Sequence, residues 1–160
     1  MVSFKSNAKN YRDAESMAAA YLAAYFANSK IKYPLNPFKM LKDEGVEFKI
    51  CNFNKLEGVY IPAQSQEDIS IVGISAKRPI TRQRFTAAHE LCHHFRDADK
   101  QVACPIGKKN ASEYFADAFA SALLMPMGEL KIKVNEYKDI NGNVSFCLLY
   151  TSDAADDRIS

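Results

Sequence analysis

The 160 residues, 48% of them apolar, suffice for one domain with its own core. Lysine and arginine number 21 against 19 acidic residues, a formal net charge of +2, too even a balance to argue for nucleic acid or a membrane surface as a partner. No apolar run approaches the ~18 residues of a membrane span, and residues 1–6 lack the apolar stretch of a secretory signal, so a cytoplasmic protein is expected.

Residues 8–29 carry Tyr11, Ala14, Met17, Ala18, Tyr21, Leu22, Tyr25 and Phe26 at helical spacing and predict one amphipathic helix. Its aromatic stripe reads as core, with a binding groove for substrate as the sharper alternative. Pro34 and Pro37 break the pattern. Asn36 then suits an N-cap and Pro37 the first position of a short helix, which Gly45 stops. Three strands are predicted next, over residues 46–52, 58–61 and 68–75, the first alternating Val46, Phe48 and Ile50 with Glu47 and Lys49. Their short links favour antiparallel neighbours, because a parallel pair needs a long crossover. A helix follows from about Thr81, a candidate N-cap, with Phe85, Ala88, Cys92 and Phe95 as its apolar stripe. A polar connection over 97–109 lets a second helix, from about Asn110 to Leu124, return against it. A shorter helix over 127–138 and a turn at Asn141-Gly142 complete the pattern. Short strands combined with these helices make the fold class α+β.

The cysteines, Cys51, Cys92, Cys104 and Cys147, form no C-x-x-C pair, which argues against a thiolate zinc site. Cytosolic thiols stay reduced, and Cys92 reads as a packing residue. The stretch Cys147-Leu148-Leu149-Tyr150-Thr151-Ser152-Asp153-Ala154-Ala155-Asp156 looks like the in-frame translation of a transposase sequencing adapter. The expected organisation is therefore a domain over 1–146, cut short at its C-terminus, followed by a non-native tail over 147–160. A native disordered terminus is the alternative.

The chemistry concentrates in two segments. His89, Glu90 and His93 form H-E-x-x-H. On a helix the two histidines stand one turn apart, their Cβ atoms about 5–6 Å from each other, and can aim at one point. A catalytic zinc takes three protein ligands and keeps a fourth position for water, which Glu90 can reach as general base. Glu113 and Asp117 share a face of the second helix in the same way. Glu113 is the candidate third ligand and Asp117 a candidate acceptor for the far ring nitrogen of His89, since ligating histidines usually donate that N–H to a carboxylate. Asn110-x-x-Glu113 also reads as a capping box, which would give Glu113 a purely structural task. His94 points away from the pair and is expected in packing or on the surface. Arg84 suits a structural ion pair or a substrate carbonyl. Tyr60 and Tyr114 are the candidates for stabilising an oxyanion.

Arg84-Phe85-Thr86-x-Ala88-His89-Glu90-Leu91-x-His93, followed by Glu113-x-x-Ala116-x-x-Phe119-Ala120-x-x-Leu123-Leu124-Met125-Pro126, resembles the ImmA/IrrE family of bacterial metallopeptidases. The likeness spans roughly residues 10–146. It implies a zincin-like fold, with a small antiparallel or mixed three-stranded sheet packed on the helices that carry the metal site. It implies zinc (Zn2+) held by His89, His93 and Glu113 with Glu90 as catalytic base, a gluzincin-like set. Many relatives have Asn where this chain has Asp117. The implied activity is endopeptidase cleavage of a helix-turn-helix transcriptional repressor, releasing mobile-element or stress genes, with no direct contact to nucleic acid or membrane. A regulatory zinc-containing module that binds a repressor without cutting it, and the toxin half of a toxin–antitoxin pair, are the alternatives.

Overall fold

Asp13 decides where the first long helix begins. Its backbone is extended and its carboxylate accepts a 2.7 Å hydrogen bond from the Ser16 N–H, so it is an N-cap. The computed structural model describes residues 2–107 and 109–143. In it the predicted single helix over 8–29 is a short helix α1 (Val2–Asn7), a 3-10 turn (Ala8–Asn10) and α2 (Ala14–Tyr25). The apolar spacing survives the break. Met17, Ala18, Tyr21 and Leu22 are buried, so the stripe is core. Helix α3 (Pro37–Asp43) starts as expected, with Asn36 Oδ1 accepting from the Lys39 N–H at 3.0 Å, and is followed by Gly45 at a positive φ of 76°.

The sheet differs from expectation in two ways. It has four strands, β1 (Val46–Cys51), β2 (Leu56–Ile61), β3 (Ser70–Ser75) and β4 (Val102–Pro105), in the order β1-β3-β2-β4. The predicted three-stranded sheet lacks β4, whose four residues are too few to show alternation. Moreover, β1 and β2 are not neighbours, despite their short link. β3 lies between them, parallel to β1 (Val46 opposite Ser70) and antiparallel to β2 (Tyr60 opposite Val72). Burial explains the order. β3, with Val72, Gly73 and Ile74 buried, suits the middle, whereas β1 exposes Glu47, Lys49 and Ile50 and suits an edge.

Helix α4 (Ile80–Arg96) is the central element. Every residue from Thr86 to Phe95 is buried, because the sheet, α3 and α5 (Ala111–Leu124) pack around it. This is more than the predicted stripe, and Phe85, expected within that stripe, is only half-buried. Pro79 caps α4 in place of Thr81, which falls inside the first turn. Aromatic rings knit the helices together. Phe95 of α4 lies 5.0 Å from Phe4 and 4.9 Å from Tyr21, and Tyr21 lies 6.5 Å from Phe119 of α5.

The chain divides after Leu124 into two compact units. The second contains α6 (Met127–Glu136), which Pro126 opens, and a turn in which Asp139 accepts from the Asn141 and Asn143 N–H groups around Gly142 at φ 81°. The suspected tail, 147–160, and the end of the expected domain, 144–146, lie outside the described residues. Among the described residues no helix is long and apolar enough to cross a membrane.

Candidate metal centre

Four side chains from three elements meet at one point inside the first unit. His89 and His93, one turn apart on α4, bring their Nε2 atoms to 3.1 Å. Glu113, in the first turn of α5, sets Oε2 3.3 Å from His89 Nε2 and Oε1 3.3 Å from His93 Nε2. The capping alternative for Glu113 separates into two parts. Asn110 Oδ1 caps the helix by accepting from the Glu113 backbone N–H at 3.0 Å, while the Glu113 carboxylate turns to the imidazoles. The fourth member is Cys104 on β4, with Sγ 3.2 Å from His89 Nε2 and 3.6 Å from Glu113 Oε1. The donor atoms of all four residues lie within 4.8 Å of one another, and each residue is at most 5% exposed.

Carboxylates behind the rings fix their tautomers. A carboxylate can only accept, so His89 Nδ1–H donates to Asp117 Oδ1 at 2.9 Å and His93 Nδ1–H donates to Asp97 Oδ2 at 2.8 Å. Asp117 is held in turn by Lys109, and Asp97 by Ser112 at 3.1 Å and Lys100 at 3.1 Å. The hydrogen bond from His93 is the main reason that the Asp97 carboxyl stays ionised well below the usual range. We predict that Asp97→Ala, which frees the His93 ring to turn, lowers metal affinity about 10–100-fold, measured by competition with a fluorescent chelator.

With both Nδ1 atoms protonated, two Nε2 lone pairs and the Glu113 carboxylate face each other in a buried space. Such a convergence is costly without a cation or added protons. Burial alone would lower the His93 pKa, but its hydrogen bonds to Asp97 and Glu113 outweigh that and raise it to about 9. Burial likewise opposes ionisation of Glu113, and its contacts with His89 and His93 overcome it and hold the carboxyl well below its ordinary value. The spacing matches a metal. A tetrahedral ion with arms of ~2.1 Å has ligand–ligand edges of about 3.4 Å; the close separations here run from 3.1 to 3.6 Å, within a cluster no wider than 4.8 Å. The donor set therefore fits a divalent metal ion.

Glu90 completes the centre differently. It is fully buried, and among the described residues neither carboxylate oxygen makes a well-formed hydrogen bond, although the Cys104 thiol lies beside it. Burial pushes its pKa up to about 7, against the pull of His89 and His93. A buried carboxylate without well-formed hydrogen bonds is expensive to keep, and proximity to a reacting proton is a reason to keep it. Gly58 on β2 makes the room. A Cβ there would stand 2.2 Å from Glu90 Oε1 and 2.7 Å from Thr86 Cγ2. Gly58→Ala is predicted to displace the Glu90 carboxylate while leaving the four donors in place. Metal content should hold, and hydrolysis should fall by about 10²-fold, read from steady-state kinetics.

The centre opens into a cleft walled by Arg82 and Phe85 of α4, by Pro105 and Gly107, and by Lys109. The oxyanion candidates lie elsewhere. Tyr60 is fully buried, bonded to Ser70 at 3.3 Å and His94 at 3.1 Å, and Tyr114 is 64% exposed. His94 is a packing residue. Its Nε2 accepts from Lys5 at 3.1 Å while Nδ1–H donates to Tyr60, and burial lowers its pKa to about 4. The Arg84 guanidinium donates to the Leu35 carbonyl at 2.6 Å, a chain-bracing contact. Sequence reasoning missed Asp97 and Cys104. Asp97 stands four residues after His93, the same one-turn signal that linked the other pairs. Cys104 carried no local signal, because only the pairing of β4 with β2 brings it to the site, and the argument from absent C-x-x-C pairs does not bear on a single thiol among other donors.

A model of the IrrE N-terminal-like domain, a peptidase domain, matches residues 41–146. That span includes every residue of the centre. No curated protein matches the chain. Two-thirds of the sequence is thus accounted for by one family whose peptidase character agrees with the buried donor cluster and the α+β architecture, compatible with a zincin-like fold, and the chain belongs to the IrrE N-terminal-like domain family of peptidases.

Proposed function

We propose that the protein is a zinc-dependent endopeptidase of the H-E-x-x-H type, with His89, His93 and Glu113 as ligands and Glu90 as general base. One observation carries this reading. Glu90 is buried without a well-formed hydrogen bond next to the four converging donors, which has no use in a metal site of purely structural purpose. Bound there, zinc would polarise a scissile carbonyl and make a neighbouring water more acidic. Glu90 accepts a proton from the attacking water as its oxygen bonds to the carbonyl carbon, then delivers that proton to the departing amine as the C–N bond breaks. Asp97 and Asp117 keep both rings oriented throughout. Strand β4 bounds the sheet beside the cleft, and an extended peptide can add to such an edge through backbone hydrogen bonds.

The substrate we propose is a helix-turn-helix transcriptional repressor, whose loss would release mobile-element or stress genes in the cytoplasm. Family membership supports this choice. The rival reading is a regulatory module with a structural ion, and one observation favours it. Cys104 joins the three ligands, and four protein ligands make a closed site. Incubation of the full chain with the repressor encoded beside it, with zinc and with a chelator, separates the two. Fragments that form only with metal support the peptidase, whereas an intact, metal-containing complex supports the module.

A further inference from the structure

We propose that Cys104 is a fourth protein ligand to the cation, so that the centre as folded is a closed resting state and hydrolysis begins only after Sγ has left. This rests on the metal reading above and deepens it. A site with three protein ligands keeps its last corner for water. Here that corner is taken up. Sγ lies 3.2 Å from His89 Nε2 and 3.6 Å from Glu113 Oε1, edges suited to one thiolate arm of ~2.3 Å beside arms of ~2.1 Å. A second, independent observation agrees. Glu90, the residue meant to meet water, is fully buried, and its oxygens make no well-formed hydrogen bond although the Cys104 thiol lies beside them. It is absent from the walls of the cleft, whereas Cys104 is one of them. In this arrangement the thiol stands between the cleft and the base.

With a cation bound, the thiol would release its proton to solvent and an electron pair on Sγ would form the bond to the cation. Opening would reverse this: the Sγ bond would break, the thiolate would take a proton back from solvent, and water would enter the vacated corner within reach of Glu90. Only β4 must shift to withdraw Sγ, since β4 is an edge strand that pairs with β2 alone among the described strands. A peptide adding to β4 would press on the strand that carries Cys104, so that substrate entry and opening of the centre are one event.

The test uses the full-length chain loaded with cobalt, alongside Cys104→Ser and Cys104→Ala. The expected result is one equivalent of cobalt with a sulfur-to-cobalt charge-transfer band in the near ultraviolet, lost in both variants while the equivalent remains bound. The variants should cleave peptide faster than the parent chain. One equivalent of cobalt without a sulfur band, or a band that survives Cys104→Ser, overturns this inference and leaves the three-ligand centre standing. Failure of the parent chain to bind any cobalt overturns the metal reading itself, and the inference with it.

Discussion

Glu90→Gln is expected to hold one equivalent of zinc and to cleave peptide roughly 10²–10⁴-fold more slowly than the parent chain. The substitution keeps shape and removes only the capacity to take a proton. It also carries a thermodynamic signature that a merely damaged protein would not show. In the metal-free protein the Glu90 pKa is raised from 4.5 to about 7 by burial. The folded state thus prefers the protonated acid. Ionisation costs nothing below the unfolded value, and the cost grows as pH rises from 4.5 towards 7 and is constant above that. Gln has no such cost. The metal-stripped variant should match the parent at acidic pH and exceed it in stability near neutrality, by up to about 3 kcal/mol. Urea unfolding across that range measures this. A variant that is slow, metal-replete and more stable at neutral pH identifies Glu90 as a proton acceptor held at a cost to the fold. Retained cleavage would end the mechanism.

Zinc affinity should climb with pH, steeply at first and then more gently, and Glu113→Ala should both weaken it and flatten the steep part. In the metal-free protein His93 holds a proton up to about pH 9, because its hydrogen bonds to Asp97 and Glu113 overcome the effect of burial. A cation must displace that proton and, with Cys104 as a ligand, the thiol proton that burial holds in place, so affinity should rise about a hundredfold per pH unit below that point and about tenfold per unit above it. Glu113 adds no slope near neutrality, since it stays ionised far below. Removing its side chain deletes a ligand and one of the contacts that keep His93 protonated. The loss at neutral pH should exceed the roughly 10–100-fold expected of Asp97→Ala. Chelator competition from about pH 6 to about pH 9 would check both parts. A pH-independent affinity in the parent chain would contradict the protonation of His93 on which this rests.

The helical parts of the centre were legible because helical geometry is local. Positions four apart fix two nitrogens or two carboxylates on one face whatever the surroundings, and the His89–His93 and Glu113–Asp117 pairs were found that way. Asp97 obeyed the same rule and was passed over only because it sits at the end of α4, where the pattern turns polar. Cys104, Gly58 and the order of the sheet were not legible. Each depends on which strand lies beside which, and the lengths of the links do not determine that when a later strand can insert between two earlier ones. Nothing in Gly58 itself announces that the carboxylate of Glu90 fills the space where its side chain would be. The split of the first predicted helix shows a smaller version of the same limit. Spacing gave the buried face of α2 correctly, while one capping carboxylate at Asp13 set its start.

The matched span begins at residue 41, yet the protein's interior does not. Phe4, Ala8, Met17 and Tyr21 belong to the same buried cluster as Phe95 and Phe119. Arg96 reaches back to the Ala8 and Tyr11 carbonyls at 3.1 Å while its guanidinium covers Phe115 at 3.9 Å, and Lys5 supplies a hydrogen bond to His94. A gene fragment trimmed to the family boundary would therefore yield a polypeptide with a greasy open flank and a stranded histidine. It would clump rather than lose activity cleanly, and its inactivity would say nothing about the chemistry.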